Sequence, residues 1–168
     1  MKKIALAALA LFTGYAVFAQ SEITVEPSGT KIIKGFMSKQ ELATDSSFKW
    51  FAENQKGYTP DQNALNSLKA SKDSINFVVF GGTWCGDTKY ILPKFFSLTD
   101  AAGFSQDRIT LVGVDRSKKT IQHLTEAFAI VNVPTIIVMK NGKEVGRVVE
   151  YGKYGLYDKE LGEILSHK

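Results

Sequence analysis

The stretch Trp84-Cys85-Gly86-Asp87-Thr88-Lys89 joins two segments of different periodicity. Before it, Ile75 to Phe80 (Ile-Asn-Phe-Val-Val-Phe) is a nearly continuous apolar run, which predicts a strand buried on both faces of a sheet. After it, Lys89 to Ala102 carries apolar side chains at helical spacing, with Pro93 inside, and predicts a kinked helix. The stretch therefore lies at a strand-to-helix junction, where the first N–H groups of the helix have no partner within the helix.

The remaining chain from Asp61 onward also alternates between helices and strands. Thr59-Pro60-Asp61-Gln62 has the residues of a helix start, and Asn141-Gly142 has those of a two-residue hairpin turn. Strands are predicted at 75–80, 109–115, 135–139 and 144–149, and helices near 61–68, 89–102, 121–128 and 161–165. This order predicts an α/β fold in which a central mixed β-sheet is flanked by helices.

The first residues have the pattern of a secretory signal peptide. Lys2 and Lys3 precede a short apolar run, and small or aliphatic residues lead up to a cleavage site that we place after Ala19. A membrane anchor is the alternative, but a spanning helix needs about 20 apolar residues, more than the uninterrupted run provides. We therefore expect residues 1–19 to be removed, no membrane span in the mature chain, and export to the periplasm or secretion.

Residues 20–60 form a second region ahead of the predicted domain at 61–168. Ser21 to Gly35 is polar with short β-prone pieces, and it is interpreted as a lead-in that can include a strand. Ser38-Lys39-Gln40-Glu41 has the Ser-x-x-Glu capping pattern, which predicts an added helix to about Asn54 and hence an N-terminal helical extension. The Trp50-Phe51 pair in this helix is interpreted as core packing, with a contact surface as the alternative.

Charge and composition narrow the classes of function. The chain has 168 residues, 44% of them hydrophobic, which supports one folded domain of ordinary size. The net charge is +4, from 21 basic and 17 acidic residues, and it falls to +2 without Lys2 and Lys3 (19 − 17), so nucleic-acid binding is not expected. Because His123 and His167 are far apart in sequence, we expect no metal site, and we expect no cofactor.

Sulfur chemistry depends on one residue, since Cys85 is the single cysteine of the sequence. One thiol cannot form an internal disulfide, a zinc–thiolate cluster or an iron–sulfur site, because each needs more than one sulfur from the chain. Cys85 therefore acts with another molecule or not at all. In an oxidising compartment, a dimer linked through Cys85 is one outcome of this kind.

The 84–89 stretch resembles the active site of the thioredoxin superfamily, in which Trp-Cys-Gly-Pro-Cys-Lys occupies the same strand-to-helix junction. Pro93 lies eight residues after Cys85, where thioredoxins carry the proline that kinks the active-site helix. Val133-Pro134-Thr135 resembles the family's Ile-Pro-Thr, and Lys140-Asn141-Gly142-Lys143 resembles its hairpin turn. The resemblance covers about residues 61–168 and implies a thioredoxin fold in a secreted bacterial member of the superfamily.

The resemblance implies a role for each residue of the site. Cys85 is the expected nucleophile, because unpaired N–H groups and the helix dipole stabilise its thiolate. Pro134 is expected to be cis and to face Cys85, so that the backbone of Val133 can pair with an extended peptide docked over the sulfur. Trp84 would form an apolar rim to this peptide groove, which Thr135 also lines. The alternatives are that Trp84 belongs to the core and that Pro134 serves only its loop.

Three positions depart from the family pattern. Thr88 stands where the resolving cysteine would be, and Val79 stands where thioredoxins bury an acidic residue that assists this cysteine. Asp87 replaces the proline of the motif, and its charge opposes the thiolate while it favours the helix start, a balance that the sequence leaves open. The expected site therefore has Cys85 as its catalytic residue, supported by Trp84, Gly86, Asp87, Thr88 and Pro134.

Two functions fit this site. The first is thiol–disulfide exchange of the monothiol oxidoreductase or isomerase type, in which Cys85 forms a mixed disulfide that another thiol releases. Its partners would be exported proteins with thiols or disulfides, or a small thiol. The alternative is a redox-inactive binding module that uses the peptide groove beside Pro134. Peroxide reduction fits less well, because peroxiredoxin-like proteins carry the threonine before the cysteine, the reverse of Cys85 and Thr88.

Overall fold

A six-stranded mixed sheet forms the centre of the molecule, for which a computed structural model describes residues 21–167. The spatial order of the strands is β1-β2-β4-β3-β5-β6. Their bounds are β1 Ser21–Val25, β2 Lys31–Met37, β3 Ile75–Gly81, β4 Ile109–Gly113, β5 Thr135–Lys140 and β6 Lys143–Val149. The strands β3 and β4 run parallel, whereas all other neighbouring pairs run antiparallel.

Helices cover both faces of this sheet. Their bounds are α1 Lys39–Thr44, α2 Trp50–Glu53, α3 Gln62–Ser71, α4 Gly86–Ala101, α5 Leu124–Ala127 and α6 Tyr157–Ser166, with 3₁₀ turns at Ser46–Phe48, Gln106–Arg108 and Ile121–His123. Within the part of the chain that the structure describes, each helix is too short or too polar to cross a bilayer. The predicted α/β class, with a central mixed sheet flanked by helices, is confirmed.

The sheet carries a buried cluster on each face. Phe77 and Val79 of β3 belong to the larger cluster, which includes side chains of α1, α3, α4 and α6. Phe80 of the same strand belongs to the smaller cluster on the opposite face, against which Trp84 and Cys85 pack. Alternate residues of one strand thus enter two cores, as expected for a strand that is covered on both sides.

The lead-in predicted from Ser21 to Gly35 contributes more to the sheet than the sequence indicated. It forms β1 and β2, an antiparallel hairpin that joins the edge of β4. Glycine makes this contact close: a Cβ on Gly113 would lie only 2.2 Å from the carbonyl oxygen of Ile33. Small residues at Gly35 and Gly113, which face each other in the register, therefore allow β2 to lie against β4. Residues 1–19, the predicted signal peptide, lie outside the described residues.

The single added helix predicted from Ser38 to Asn54 is wrong in its length. The Ser38 side chain does accept the Glu41 N–H, so the predicted cap forms, but the helix ends at Thr44. Asp45 is extended, and its carboxylate accepts the N–H of Ser47 and starts a new turn. The chain consequently bends twice, which buries Phe48 and Phe51 and leaves Trp50 half-buried, so that the pair serves core packing.

The helix predicted at 121–128 is likewise shorter than expected. Gln122 and His123 have positive φ angles of 52° and 55°, so the regular helix begins only at Leu124. The 16-residue α4, by contrast, begins three residues before the predicted start and continues through Pro93. It opens at Gly86, directly after Cys85, and this position defines the candidate site.

Candidate active site at Cys85

Cys85 is the residue that caps the N-terminus of α4. Its backbone is extended (φ −81°, ψ 131°), and its carbonyl oxygen accepts the N–H of Lys89 at 3.0 Å, while its side chain makes no capping bond. The half-buried thiol instead donates to the carbonyl oxygen of Val133, 3.4 Å away. The sulfur is thus held at the N-terminus of the 16-residue α4, the positive end of the helix dipole, and faces the cis-proline loop.

The loop that faces Cys85 is the one expected from the sequence. The Val133–Pro134 peptide bond is cis, and the Pro134 carbonyl accepts the backbone N–H of Glu150 at 2.7 Å. The side chains of Val133 and Thr135 are buried, with 2% and 1% exposure, and the Thr135 hydroxyl donates to the Asn132 carbonyl. Both residues are nearly enclosed, so their part in the predicted peptide groove stays a prediction.

Trp84 forms one wall of the site. Its indole Nε1 donates to the carbonyl oxygen of Val114 at 3.0 Å, and the half-buried ring packs against the smaller core cluster. A Cβ on Gly82 would lie 2.8 Å from the indole, so glycine at this position allows the ring to lie over the backbone. Trp84 therefore packs on the smaller core, as one of the two interpretations drawn from the sequence has it, and its role as the rim of a peptide groove stays a prediction.

Thr88 fills the position of the second sulfur with a fully buried side chain. Its hydroxyl oxygen accepts the backbone N–H of Gly82 at 3.1 Å, and its methyl group lies close enough to Gly81 that a Cβ there would be 2.9 Å away. Val79 is also fully buried, in the larger core cluster. Both departures from the family pattern are thus packed into the fold, and neither side chain carries a thiol or a carboxyl group that could take part in exchange at Cys85.

A tyrosine that the sequence did not single out lies beside Asp87. The ring of Tyr151 lies 5.7 Å from the ring of Tyr90, which is on α4. Burial raises the pKa of Tyr151. Its hydrogen bond to Asp87 raises this pKa further, and so does its electrostatic interaction with the nearby Cys85. Tyr151 lies two residues after the end of β6, and β6 pairs with β5, which begins directly after Pro134. An aromatic residue at this point of the sequence could therefore have suggested a place beside the site. Gly86, the remaining residue of the motif, is exposed with no neighbouring atoms that a side chain would meet.

A comparison with known families decides the assignment. The family model described as Thioredoxin matches residues 59–158, well over half of the chain. The chain belongs to the thioredoxin family. Membership of the thioredoxin family indicates thiol–disulfide redox chemistry, and it confirms the recognition that the motif suggested. The match begins at Thr59, so β1, β2, α1 and α2 precede the part of the chain that thioredoxins share.

Individual thioredoxins show the same extent of similarity. A thioredoxin of Echinococcus granulosus is 34% identical over 84 residues, which cover 50% of this chain and 73% of that protein. A thioredoxin of Mycolicibacterium smegmatis is 32% identical over 108 residues, which cover 64% of this chain and 91% of that protein. A solved Pseudomonas aeruginosa protein of unknown function has a TM-score of 0.52 at 15% identity, covering 76% of this chain and 87% of its own. The predicted thioredoxin fold is confirmed by these similarities.

Within residues 21–167, no group of three or more histidine, cysteine, aspartate or glutamate side chains is arranged to hold a metal ion. His123 is exposed on the 3₁₀ turn before α5, and His167 follows α6 at the far end of the chain.

The residues that the structure brings together around the sulfur are Trp84, Asp87, Val133, Pro134 and Tyr151.

Proposed function

We propose that this protein is an exported monothiol enzyme of thiol–disulfide exchange, in which Cys85 is the catalytic nucleophile. The observation that carries the proposal is the position of Cys85: the thiol is half-buried, lies directly before α4, and donates to the carbonyl oxygen of Val133. A thiol that is held at a helix start and remains partly open to solvent can form a thiolate and meet a partner.

The first step is an exchange of sulfur partners. The Cys85 thiolate attacks one sulfur of a partner disulfide, a new S–S bond forms between the two, and the other partner sulfur leaves as a thiolate. One disulfide bond is broken and one is made, so this step needs no external oxidant or reductant. The backbone around Val133 and Pro134 is the surface along which an extended segment of the partner would lie.

The second step needs a thiol from outside this chain. The Thr88 hydroxyl cannot attack the mixed disulfide, because it is not a sulfur nucleophile, and it instead accepts the Gly82 N–H. A second thiolate of the partner can attack the partner sulfur, which regenerates the Cys85 thiolate and leaves the partner with a rearranged disulfide. Isomerisation of disulfides, with no net electron transfer, is the reaction that one cysteine can complete with such a partner.

Export is included in this proposal because of the pattern in Met1 to Ala19. An oxidising compartment supplies disulfides for Cys85, either in proteins or in a small oxidised thiol. N-terminal sequencing of the protein from its native host tests this part: a mature chain that begins at Gln20 is expected, and a chain that retains Met1 after export contradicts it.

The exchange reaction is tested by mass spectrometry of the intact protein. The wild-type protein and the variants Cys85→Ser and Thr88→Ser are incubated with a disulfide-containing peptide and quenched with acid. An adduct with the mass of one peptide half is expected on wild-type and Thr88→Ser protein, and none on Cys85→Ser. If no wild-type adduct forms at a pH where free thiols react, the exchange function is wrong.

A binding module without redox chemistry is the second candidate, and the burial of Thr88 and Val79 favours it. Thr88 replaces the resolving cysteine, and Val79 replaces the acid that assists it. A protein that carries out no dithiol cycle needs neither of these groups, so their joint replacement is consistent with binding alone. The Cys85→Ser variant separates the two functions. A binding module captures its partner equally well with serine at this position, whereas the exchange enzyme loses covalent capture.

A further inference from the structure

The N-terminal hairpin, defined as β1 and β2 at residues 21–37, contacts the Cys85 loop at two points. From the inside, the Thr83 hydroxyl donates to the carbonyl oxygen of Lys31 at 2.8 Å and accepts the N–H of Ile33 at 3.3 Å. Thr83 is 2% exposed, so this pair of bonds ties the residue before Trp84 to β2 in a dry environment. The hairpin is therefore in direct contact with the active-site loop.

From the outside, the hairpin reaches Trp84 through a charged pair. Glu26, in the turn between β1 and β2, accepts two hydrogen bonds from Arg116, from Nε at 2.5 Å and from Nη2 at 2.7 Å. The Arg116 guanidinium carbon lies 5.3 Å from the centroid of the Trp84 ring, within the range of a cation–π interaction. Glu26, Arg116 and Trp84 thus form a continuous row that ends beside Cys85.

The geometry of this row limits how the indole can move. Two parallel bonds hold the guanidinium plane in one orientation, which a single bond would leave free to rotate. The turn that carries Glu26 is itself fixed by backbone bonds from Glu26 N to Thr30 O at 3.0 Å and from Gly29 N to Glu26 O at 2.8 Å. The hydrogen bond from Arg116 also lowers the pKa of Glu26 from its ordinary value.

We infer that Glu26 and Arg116 are positioning residues for the active site: Glu26 holds the Arg116 guanidinium against Trp84, so that the N-terminal hairpin sets the wall along which a partner peptide reaches Cys85. Neither residue touches the reacting sulfur. This inference rests on the proposed exchange function for its kinetic consequence, but the position of Trp84 itself can be measured without any reaction.

The test combines fluorescence with exchange kinetics. The protein has two tryptophans, so a Trp50→Phe background leaves Trp84 as the emitting residue. In this background, Glu26→Gln is expected to increase quenching of Trp84 by acrylamide, because the guanidinium is no longer held over the ring. The rate of mixed-disulfide formation with a disulfide peptide is expected to fall about fivefold, since misplacement of a positioning group slows reaction. The rate with a small disulfide should change little.

Matched variants make the test specific. Glu22→Gln removes the other carboxylate of the hairpin, which pairs with Lys34 and not with Arg116. This variant should change neither the quenching of Trp84 nor the rate of reaction with the peptide. Glu26→Asp retains the charge, so its quenching and its peptide rate should lie between those of Glu26→Gln and the parent. The double variant Glu26→Gln with Arg116→Gln should show no larger change in either quantity than Arg116→Gln alone. Because exposed ion pairs contribute little to stability, the unfolding midpoint of Glu26→Gln should stay within about 3 °C of the parent.

The outcomes separate this inference from the exchange function. If Glu26→Gln matches Glu22→Gln in both quenching and peptide kinetics, the positioning role is wrong. If no variant reacts at Cys85, including the parent, the exchange function fails, and the quenching result alone decides whether the hairpin positions Trp84.

Discussion

At position 88, a buried hydroxyl occupies the place of a sulfur, and the consequences are both structural and chemical. The Thr88 oxygen satisfies the N–H of Gly82, a group in the loop that leads to Cys85. A buried N–H without a partner costs about 1–3 kcal/mol, so the hydroxyl is a structural part of the site. In the proposed exchange reaction, the second thiol must therefore come from another molecule.

The Thr88→Cys variant is expected to return both sulfurs to one chain. The introduced thiol lies one helical turn from Cys85 and can attack a mixed disulfide within the molecule, so the lifetime of the peptide adduct should fall about tenfold or more. The adduct lifetime is measured by mass spectrometry after removal of free peptide. Thr88→Ser is the control and should retain the adduct. An equally long-lived adduct on Thr88→Cys contradicts the assignment of position 88.

Asp87 places a negative charge in the first turn of α4, two residues after the sulfur. A nearby carboxylate opposes formation of the Cys85 thiolate, whereas the helix N-terminus favours it. We expect Asp87→Asn to increase the rate of Cys85 alkylation by iodoacetamide at pH 7 about two- to fivefold. Asp87→Glu keeps the charge and serves as the control. A slower reaction of Asp87→Asn would show that the carboxylate assists the thiol.

At the scale of elements, α3 and α6 lie in close contact. A Cβ on Gly162 of α6 would lie 2.7 Å from the backbone nitrogen of Ala64 in α3, an approach that real side chains do not make. Gly162→Ala should therefore push α6 from α3 and lower the free energy of unfolding by about 1–3 kcal/mol in urea titrations. Gly86→Ala is the control, since its new methyl group meets no neighbouring atom. Equal stability of the two variants would contradict the close packing.

The ion pair between Lys31 of β2 and Asp45, which follows α1, is expected to make the stability depend on pH in acid. Lys31 donates to the Asp45 carboxylate at 2.5 Å, and this bond, with the N–H of Ser47, lowers the pKa of Asp45 from 3.8 to about 2. Because the pKa is depressed in the folded state, the stabilisation is complete above pH 4 and is lost as the pH falls toward 2. The unfolding free energy of Asp45→Asn should be lower than that of the wild type at pH 7, and the difference should shrink between pH 4 and pH 2.

Urea titrations at each pH measure this difference. Asp73→Asn is the control, because Asp73 is exposed and its replacement should give a constant difference across the same range. A difference between Asp45→Asn and wild type that stays constant down to pH 2 would contradict the role of the Lys31 pair.

At the scale of the whole molecule, a buried carboxylate connects the first and last parts of the shared domain. Asp158 is 7% exposed, and its Oδ2 accepts the Tyr58 hydroxyl at 2.7 Å and the Asp61 N–H at 3.1 Å. Burial raises the pKa of Tyr58 well above its usual value, so the phenol remains a donor. This cluster holds the start of α6 to the start of α3.

Asp158→Ala should accordingly destabilise the fold by about 2–3 kcal/mol, since two donors lose a charged acceptor in a buried position. Asp73→Ala, at an exposed position, should change stability by less than about 0.5 kcal/mol. Thermal unfolding followed by circular dichroism provides the comparison. Similar midpoints for the two variants would show that the buried cluster contributes nothing to stability.

Local sequence signals were sufficient for most elements of the shared domain, although not for the helix predicted at 121–128. The apolar run at 75–80, the periodicity after Cys85 and the Asn141-Gly142 turn each encode an element through its own residues, so the α/β order and the position of Cys85 were predictable. The N-terminal region was not predictable in the same way. Its strand β2 is defined by a partner, β4, about 80 residues further along the chain, and the close Gly35–Gly113 contact has no local signature.

The candidate site was predictable to the same degree. Cys85, Trp84 and the 133–135 loop belong to motifs that are contiguous in sequence, and the structure brings them together. Tyr151 and the Glu26–Arg116 pair come from three distant segments, and only the tertiary fold places them beside the motif. Long-range charge and ring contacts of this kind carry no spacing rule that a single sequence can display.

The pairing of β2 with β4 means that the start of the family match, at Thr59, is not a folding boundary. A chain begun there would leave the outer edge of β4 without its backbone partners and would remove both groups that bind Thr83. An open strand edge pairs readily with other chains, so such a fragment should self-associate. Recombinant work on this protein should therefore begin no later than Ser21, even though thioredoxin similarity starts nearly forty residues afterwards.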